Sequence, residues 1–161
     1  MAKSKYPITP AVRFLRSKGI DFKPHTYAYS DRGGANQAAQ ALKVPANRVV
    51  KTLVMETDNR VLFLMLMHGD REVSTRQLAR VIGRKKVIPA APATAERCTG
   101  CRVGGISPFA TRDRLPVYLE ESILVLESVF INGGKRGFLV EIDPAVLTGP
   151  LDGVAVKAAA S

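Results

Sequence analysis

The chain has 161 residues, of which 46% are hydrophobic and 24% are charged. This length suits one domain with an ordinary core, and the composition excludes wholesale disorder. No apolar run reaches the roughly 18 residues that a membrane-spanning helix needs. The N-terminal stretch also lacks the apolar segment of a signal peptide. We therefore predict one cytoplasmic domain over residues 1–161, with its core at 8–150 and no membrane contact.

Positive charge is the first indication of a partner. Lys and Arg number 24 against 14 Asp and Glu, which gives a formal net charge of +10. Residues 71–114 hold ten basic and three acidic residues, whereas the net charge of residues 115–161 is −3. An uneven excess of this kind favours a polyanionic partner such as nucleic acid. The alternative is a solvated basic surface without a specific partner.

Caps, prolines, glycines and apolar segments predict short helices and strands in the first half of the chain. In chain order these are a helix from Thr9-Pro10 to Gly19, a strand His25–Tyr29, a helix Ala35–Leu42 and a β-hairpin of Arg48–Glu56 with Arg60–His68.

The second half mixes the same two kinds of element. Thr75 is predicted to cap a helix that ends at Gly83. The elements that follow are a strand Lys86–Ile88, a helix Ala91–Arg97, strands Pro116–Leu119, Val129–Asn132 and Phe138–Ile142, and a short helix from Asp143-Pro144. The tail after Leu151 is predicted to be frayed. Because strands and helices mix without regular βαβ alternation, the fold class is predicted to be α+β.

Lys51 is unusual because it lies inside the apolar run Val49–Met55. With the two-residue period of a strand, it shares a face with Val49, Leu53 and Met55. A lysine on such a face is costly unless it meets an anion or lines a cleft. The alternative is that Val50, Thr52 and Val54 face the core while Lys51 extends to water.

Two glycine-rich loops carry the other candidate residues. Glycine pairs let the main chain approach a ligand and direct N–H groups at an anion or a developing oxyanion. The alternative is that both are turns that need positive φ. The loops are Gly104-Gly105-Ile106-Ser107 and Asn132-Gly133-Gly134-Lys135-Arg136-Gly137.

Residue types typical of metal or nucleophilic sites are sparse. His25 and His68 are isolated and are expected to be structural. Cys98-Thr99-Gly100-Cys101 is at most half of a zinc site, and it lacks the strand-to-helix context of a redox motif. We therefore expect the two cysteines to be incidental, with a redox or metal role as the alternative. We predict no metal and no cofactor.

Three stretches together resemble the YbaK family, the free-standing relatives of the prolyl-tRNA synthetase editing domain. The resemblance covers about residues 8–150, and the opening Thr9–Val12 and His25–Tyr27 also match. Each motif alone is weak, but the ordered set is specific. The motifs are Val50-Lys51-Thr52-Leu53, Thr99-Gly100 with Val103–Pro108, and Gly133–Gly137.

The resemblance implies a single α+β domain with a mixed, barrel-like sheet flanked by short helices. It implies hydrolysis of mischarged aminoacyl-tRNA in trans, with Cys-tRNA(Pro) as the substrate and the substrate's own thiol as the attacking group. It also implies the tRNA acceptor end and prolyl-tRNA synthetase as partners. The implied catalytic residues are Lys51, Gly105 and Gly134, and the implied substrate-binding residues are Tyr27, Gly104, Ile106, Ser107, Asn132, Gly133, Lys135 and Arg136.

Three positions depart from the cysteine-specific pattern. Asn132 stands where that branch has serine, Leu139 where it has aspartate, and Gly34 near the place of a bulky aromatic residue. Editing is therefore better supported than the preference for cysteine. A non-catalytic tRNA- or RNA-binding module is the alternative function, because the charge supports it equally well.

Overall fold

A computed structural model describes residues 5–161 of the chain. Residues 1–4 lie outside the described residues. They belong to the predicted domain and to the N-terminal stretch that we predicted to lack a signal peptide. The described part contains short helices and strands in alternation, with two 3₁₀ turns at Ala46–Arg48 and Glu121–Val125. In chain order the elements are α1 Pro10–Ser17, β1 Lys23–Thr26, α2 Gly34–Leu42, β2 Val49–Thr57, β3 Leu62–His68, α3 Thr75–Val81, β4 Val87–Pro89, α4 Pro92–Thr99, β5 Val117–Glu120, β6 Val129–Lys135, β7 Phe138–Ile142, α5 Ala145–Thr148 and β8 Val154–Val156.

The strands form one mixed sheet in the order β1-β7-β6-β2-β3-β5-β8, and β4 pairs additionally with β2. The predicted hairpin is present as β2 and β3, which are antiparallel from Val50 opposite His68 to Glu56 opposite Leu62. In contrast, β2 runs parallel to β6, and β3 runs parallel to β5. This single mixed sheet with short helices confirms the predicted α+β fold.

Helices cover the sheet on both faces, so β2 and β3 are apolar along most of their length. Val50 and Val54 lie in the largest buried cluster, together with Leu15 of α1. Met55 points the other way, into a cluster with Leu78 of α3. Among residues 5–161, no helix combines the length and the apolar composition needed to cross a membrane.

Two local predictions need correction. The cap of α3 is Ser74, whose hydroxyl accepts from the Gln77 N–H at 3.2 Å, and Thr75 is the first residue of the helix. The predicted cap, Thr75, is adjacent to Ser74 and also carries a hydroxyl group. The β6 strand also continues through Gly133 to Lys135, with an irregularity after Asn132, so the predicted loop is mostly strand.

The prediction that the tail after Leu151 is frayed is wrong. Its residues Val154–Val156 form β8, which pairs in parallel with β5. Ala158 is 1% exposed, and the buried Glu120 carboxylate accepts from the Ala158 and Ala159 N–H groups at 2.6 and 3.1 Å. A buried carboxylate that accepts two hydrogen bonds from main-chain N–H groups holds the tail against the sheet. The small side chains of Ala158 and Ala159 allow the main chain of the tail to approach this carboxylate closely.

Replacing Glu120 should therefore destabilise the protein. In Glu120→Ala, the buried Ala158 N–H and the half-buried Ala159 N–H lose their acceptor, which costs about 1–3 kcal/mol for each unsatisfied group. We expect a fall in Tm of at least about 4 °C in thermal unfolding, given about 2–4 °C per kcal/mol for a chain of this size. The matched control is Glu121→Ala, because Glu121 is exposed and its ion pair is with the exposed Lys157. Equal Tm values for the two variants would contradict this account of the tail.

A polar cluster joins β1, β6 and β7 at the opposite edge of the sheet. The Glu141 carboxylate accepts from the Ser128 hydroxyl at 2.7 Å and contacts His25 Nε2 at 3.0 Å. Arg48 lies 3.7 Å from the same carboxylate and also donates to Ser128. The hydrogen bond from Ser128, and secondarily the one with His25, lowers the pKa of Glu141 below its ordinary 4.5.

The lowered pKa of Glu141 predicts the pH range in which it stabilises the fold. Because the folded-state pKa lies below the unfolded value, the contribution is complete above about pH 4.5 and is lost as the pH falls through the folded pKa. Glu141→Gln should thus be less stable than the native chain at neutral pH, and the difference should shrink in acid. Chemical unfolding at several pH values measures this, with the exposed Glu127→Gln as control. A difference independent of pH would contradict it.

Candidate functional site

The site lies where β2 changes its pairing partner. On one side β2 pairs with β3 along nearly its whole length. On its other side it pairs with β6 only at Val49 and Val50, and with β4 only from Met55 to Thr57. Lys51–Val54 therefore have no strand paired on that second side among residues 5–161. This gap places the centre of a central strand at the surface of a cavity.

A cavity of about 500 Å³ opens at this gap. Its volume is typical of sites that bind small molecules. The wall is mostly apolar, and Lys51 and Glu72 are the charged side chains in the part of the wall that residues 5–161 form. The apolar part of the wall comes from β2, from the segments at the starts of α3 and α4, and from the first glycine loop. Its residues include Val49, Val50, Leu53, Val54, Met55, Val73, Pro89, Pro92, Val103 and Ile106.

Lys51 lines this cavity, and its side chain is 22% exposed. Its ammonium Nζ lies 3.4 Å from Oε1 of Glu72, whose own side chain is 86% exposed. Val50 and Val54 face the core, as the alternative interpretation proposed, but Lys51 does not extend freely into solvent. A half-buried ammonium beside one exposed carboxylate keeps most of its capacity to meet an anionic group.

Several other predicted residues meet Lys51 at the cavity. Tyr27, Gly104, Ile106 and Asn132 all contribute to the wall. Burial, and secondarily the neighbouring Tyr29, raises the pKa of Tyr27 above its ordinary 10.0. Tyr27 therefore stays a neutral phenol at physiological pH, able to donate one hydrogen bond.

Asn132 connects the two glycine loops. Its Oδ1 accepts from the N–H groups of Gly134 at 2.6 Å and Lys135 at 3.1 Å. Its Nδ2 donates to the carbonyl oxygens of Lys135 at 3.2 Å and Gly104 at 3.5 Å. One side chain thus holds both loops at the cavity edge, a role that its place in the sequence does not reveal.

Close packing explains why the loops contain glycine. A side chain at Gly105 would bring its Cβ to 2.6 Å from the Arg136 N atom, and Gly134 has a φ of +100°. The Gly105 N–H donates to the Arg102 carbonyl at 2.8 Å, and the Gly134 N–H donates to Asn132. The predicted role of these two N–H groups as oxyanion donors stays a prediction, and it requires each to leave its internal acceptor.

The remaining predicted residues lie around the cavity and not in its wall. Ser107 is 0% exposed, and its hydroxyl accepts from the Phe109 N–H at 3.2 Å. Arg136 donates to the Val103 carbonyl at 2.8 Å and lies over the Tyr29 ring, 5.0 Å from its centre. Neither Gly133 nor Lys135 belongs to the wall that residues 5–161 form. These four residues support the loops that reach the cavity.

Two wall residues were missed. Glu72 follows a run of loop residues, and nothing in its sequence context distinguishes it from a solvated acid. The Thr52 hydroxyl is buried and has no hydrogen-bond partner within the described chain. Thr52 was named for its face of the strand and as part of the motif Val50-Lys51-Thr52-Leu53, but not as a site residue, because a threonine in a strand is ordinary. A buried hydroxyl without a partner in a cavity wall is available to a polar ligand.

The two cysteines lie apart from the main cavity. Cys98 is 2% exposed and belongs to the core, and burial raises the pKa of its thiol above the ordinary 9.0. Cys101 lines a smaller cavity of about 300 Å³ together with Ser107 and Gly134. In the described part of the chain, no group of three metal-ligating side chains comes together. A redox or metal role for the pair stays a hypothesis.

Comparison with known proteins places this arrangement in a family. A model of the aminoacyl-tRNA editing domain matches residues 31–149. The chain is 30% identical over 149 residues to an Enterococcus faecalis protein named "Putative Cys-tRNA(Pro)/Cys-tRNA(Cys) deacylase EbsC", and the match covers 91% of each chain. It is also 30% identical over 104 residues to the proline–tRNA ligase of Moorella thermoacetica, covering 64% of this chain and 18% of the ligase.

Solved structures show the same fold. A structure described as "a putative trans-editing enzyme for prolyl tRNA synthetase" superposes with a TM-score of 0.81 at 23% identity, over 96% of this chain and 100% of that one. A second, described as hypothetical protein APE2540, gives a TM-score of 0.86 at 20% identity, over 94% and 100%. Because the family model matches most of its length, the chain belongs to the aminoacyl-tRNA editing domain family.

Proposed function

We propose that this chain hydrolyses the ester between a wrong amino acid and tRNA, acting in trans, with Cys-tRNA(Pro) as its main substrate. The observation that carries the proposal is the half-buried Lys51 ammonium in the wall of an apolar cavity, beside the Gly104–Ile106 loop. The name of the Enterococcus faecalis relative supports the choice of substrate.

The cavity suits the acyl part of such a substrate. Its apolar wall can surround an amino-acid side chain, and a volume of about 500 Å³ leaves room for part of the terminal nucleoside. Lys51 would either polarise the ester carbonyl or hold the terminal ribose or phosphate. In a cavity that excludes water, one positive charge stabilises a developing oxyanion more strongly than it does in solution.

Further hydrogen-bond donors lie in the same wall. The N–H groups of Gly104 and Ile106 have no acceptor within residues 5–161. The Thr52 hydroxyl is likewise unpaired. We propose these three groups as the donors to the ester carbonyl and the terminal ribose. Gly105 and Gly134 lie outside this wall, and Gly134 lines the smaller cavity, so their proposed role as donors needs a shift of the loops as well as loss of their internal acceptors.

The attacking group is proposed to be the substrate's own thiol. The wall formed by residues 5–161 contains neither histidine nor cysteine. Attack by the thiol sulfur forms a sulfur–acyl bond and breaks the ester C–O bond, and the thiol proton passes to the released ribose oxygen. Water then hydrolyses the cyclic thioester. Bringing sulfur and carbonyl together in a confined cavity supplies the orientation that this step needs.

Basic residues beside the cavity are proposed to hold the tRNA acceptor end. The wall includes Thr75, the first residue of α3, and Arg76 and Arg80 are exposed on that helix. Arg102 is exposed next to Val103, which also belongs to the wall. We propose prolyl-tRNA synthetase as a further partner, because part of the ligase sequence resembles this chain, and the cytoplasm as the place of reaction.

Hydrolysis of a panel of mischarged tRNAs by the native chain tests the activity. We expect release of the amino acid from Cys-tRNA(Pro) and a loss of about 10²-fold or more in kcat for Lys51→Ala, because the variant removes the positive charge at the ester. The matched control is Lys18→Ala, which removes an exposed lysine just after α1. No hydrolysis of any tested tRNA would reject the enzyme and favour a non-catalytic RNA-binding module. Full activity of Lys51→Ala would reject the proposed role of the lysine.

Salt dependence of tRNA binding tests the basic surface. A lysine or arginine that contacts phosphate contributes about 1 to the slope of log K against log salt. We expect Arg76→Ala to reduce the slope of tRNA binding by about 1. Arg13→Ala, an exposed arginine on α1, is the matched control and should leave the slope unchanged. Equal slopes for the two variants would contradict placement of the acceptor end against α3.

A further inference from the structure

A serine and a histidine lie in hydrogen-bond contact at a place separate from the editing cavity. Nε2 of His68, at the end of β3, is 2.7 Å from Oγ of Ser122 in the 3₁₀ turn Glu121–Val125. Nδ1 of His68 is 2.7 Å from the carbonyl oxygen of Asn47. None of these three residues belongs to the wall of the cavity that contains Lys51.

The partners of His68 determine where its proton lies. A carbonyl oxygen can only accept, so Nδ1 carries the hydrogen that bonds to Asn47. In the neutral ring, Nε2 is then the acceptor, and the Ser122 hydroxyl donates to it. His68 is 4% exposed, so its ring is held in this orientation by the surrounding protein. A hydroxyl that donates to a histidine oriented by a third group is the arrangement that activates a serine nucleophile.

Ser122 also has access to a ligand-sized space. It lines an open cavity of about 740 Å³, and the part of its wall that residues 5–161 form is polar, with alanine as the only apolar residue type. The same wall carries two basic side chains, Arg71 and Lys157, and two acidic ones, Glu120 and Glu121, and Lys157 pairs with Glu121 at 3.5 Å. By contrast, the hydroxyl of Ser128 donates to a carboxylate, Glu141, and has no base beside it. Within the described chain, Ser122 is the serine that combines a histidine acceptor with a cavity.

We propose that Ser122 and His68 form a second, serine-dependent hydrolytic site for small acyl esters. The Ser122 oxygen attacks the ester carbonyl while its proton passes to His68 Nε2, and the departing alcohol takes that proton as the C–O bond breaks. Water then attacks the acyl-serine and gives a proton to His68, which returns it to the Ser122 oxygen as the acyl–oxygen bond breaks and the acid leaves. The acyl group must be short, because the polar wall offers a long chain nothing to pack against.

A fluorophosphonate probe and p-nitrophenyl acetate test this site on the full chain. We expect the probe to label Ser122, as located by mass spectrometry of the digested protein, and the ester to be hydrolysed. Ser122→Ala should lose both reactions. His68→Gln should slow labelling by about 10²-fold or more, because the base is gone. Ser17→Ala, which changes an exposed serine at the end of α1 outside this wall, is the matched control and should behave as the native chain does.

These outcomes distinguish a catalytic role of the Ser122–His68 hydrogen bond from a purely structural one. Absence of labelling at Ser122 in the native chain overturns the proposal, whether or not His68→Gln folds. Hydrolysis of the ester by folded Ser122→Ala at the native rate overturns it as well. Labelling of Ser122 that is lost in Ser122→Ala, with circular dichroism melts showing that the variant remains folded, supports it.

Discussion

The change of partner along β2 is the constraint on which the site depends. Two neighbouring strands, β6 and β4, pair with opposite ends of β2, so within residues 5–161 no second strand pairs with Lys51–Val54, although the Ala90 N–H donates to the Val54 carbonyl at 2.9 Å. A central strand normally satisfies both edges, so an unpaired stretch needs a particular arrangement of the strands around it. Here that arrangement brings a lysine from the middle of an apolar strand to a cavity, while its neighbours Val50 and Val54 complete the core.

The loops around the cavity are held by packing and by one amide side chain. Asn132 bonds to both glycine loops, and Gly105 contacts the main chain of Lys135 and Arg136. Loops fixed in this way form a preformed wall, which suits a reaction that relies on position and charge. The positive φ of Gly104 and Gly134 agrees with the interpretation of these segments as turns, and their role toward a ligand stays a prediction.

Particular residues show how far the sequence could be interpreted. The β2–β3 hairpin, the cap at Thr9 and the unusual position of Lys51 in an apolar strand followed from local patterns, because an apolar run and a capping residue act over a few positions. The β8 strand could not be predicted, since Val154–Val156 is short and its partners in β5 lie more than thirty residues away in sequence. Glu72 was missed as well, because its contact with Lys51 exists only once α3 and β2 pack.

By itself, the sequence determined the α+β class, the positive charge, the two glycine loops and an unusual lysine, all of which are properties of composition or of neighbouring residues. Only the tertiary structure decided which of these residues meet. It placed Lys51, Gly104, Ile106 and Asn132 in one wall, turned Ser107 into the interior, and set Ser122 against His68. The physical reason is that strand order and long-range packing, which bring distant residues together, depend on the whole chain at once.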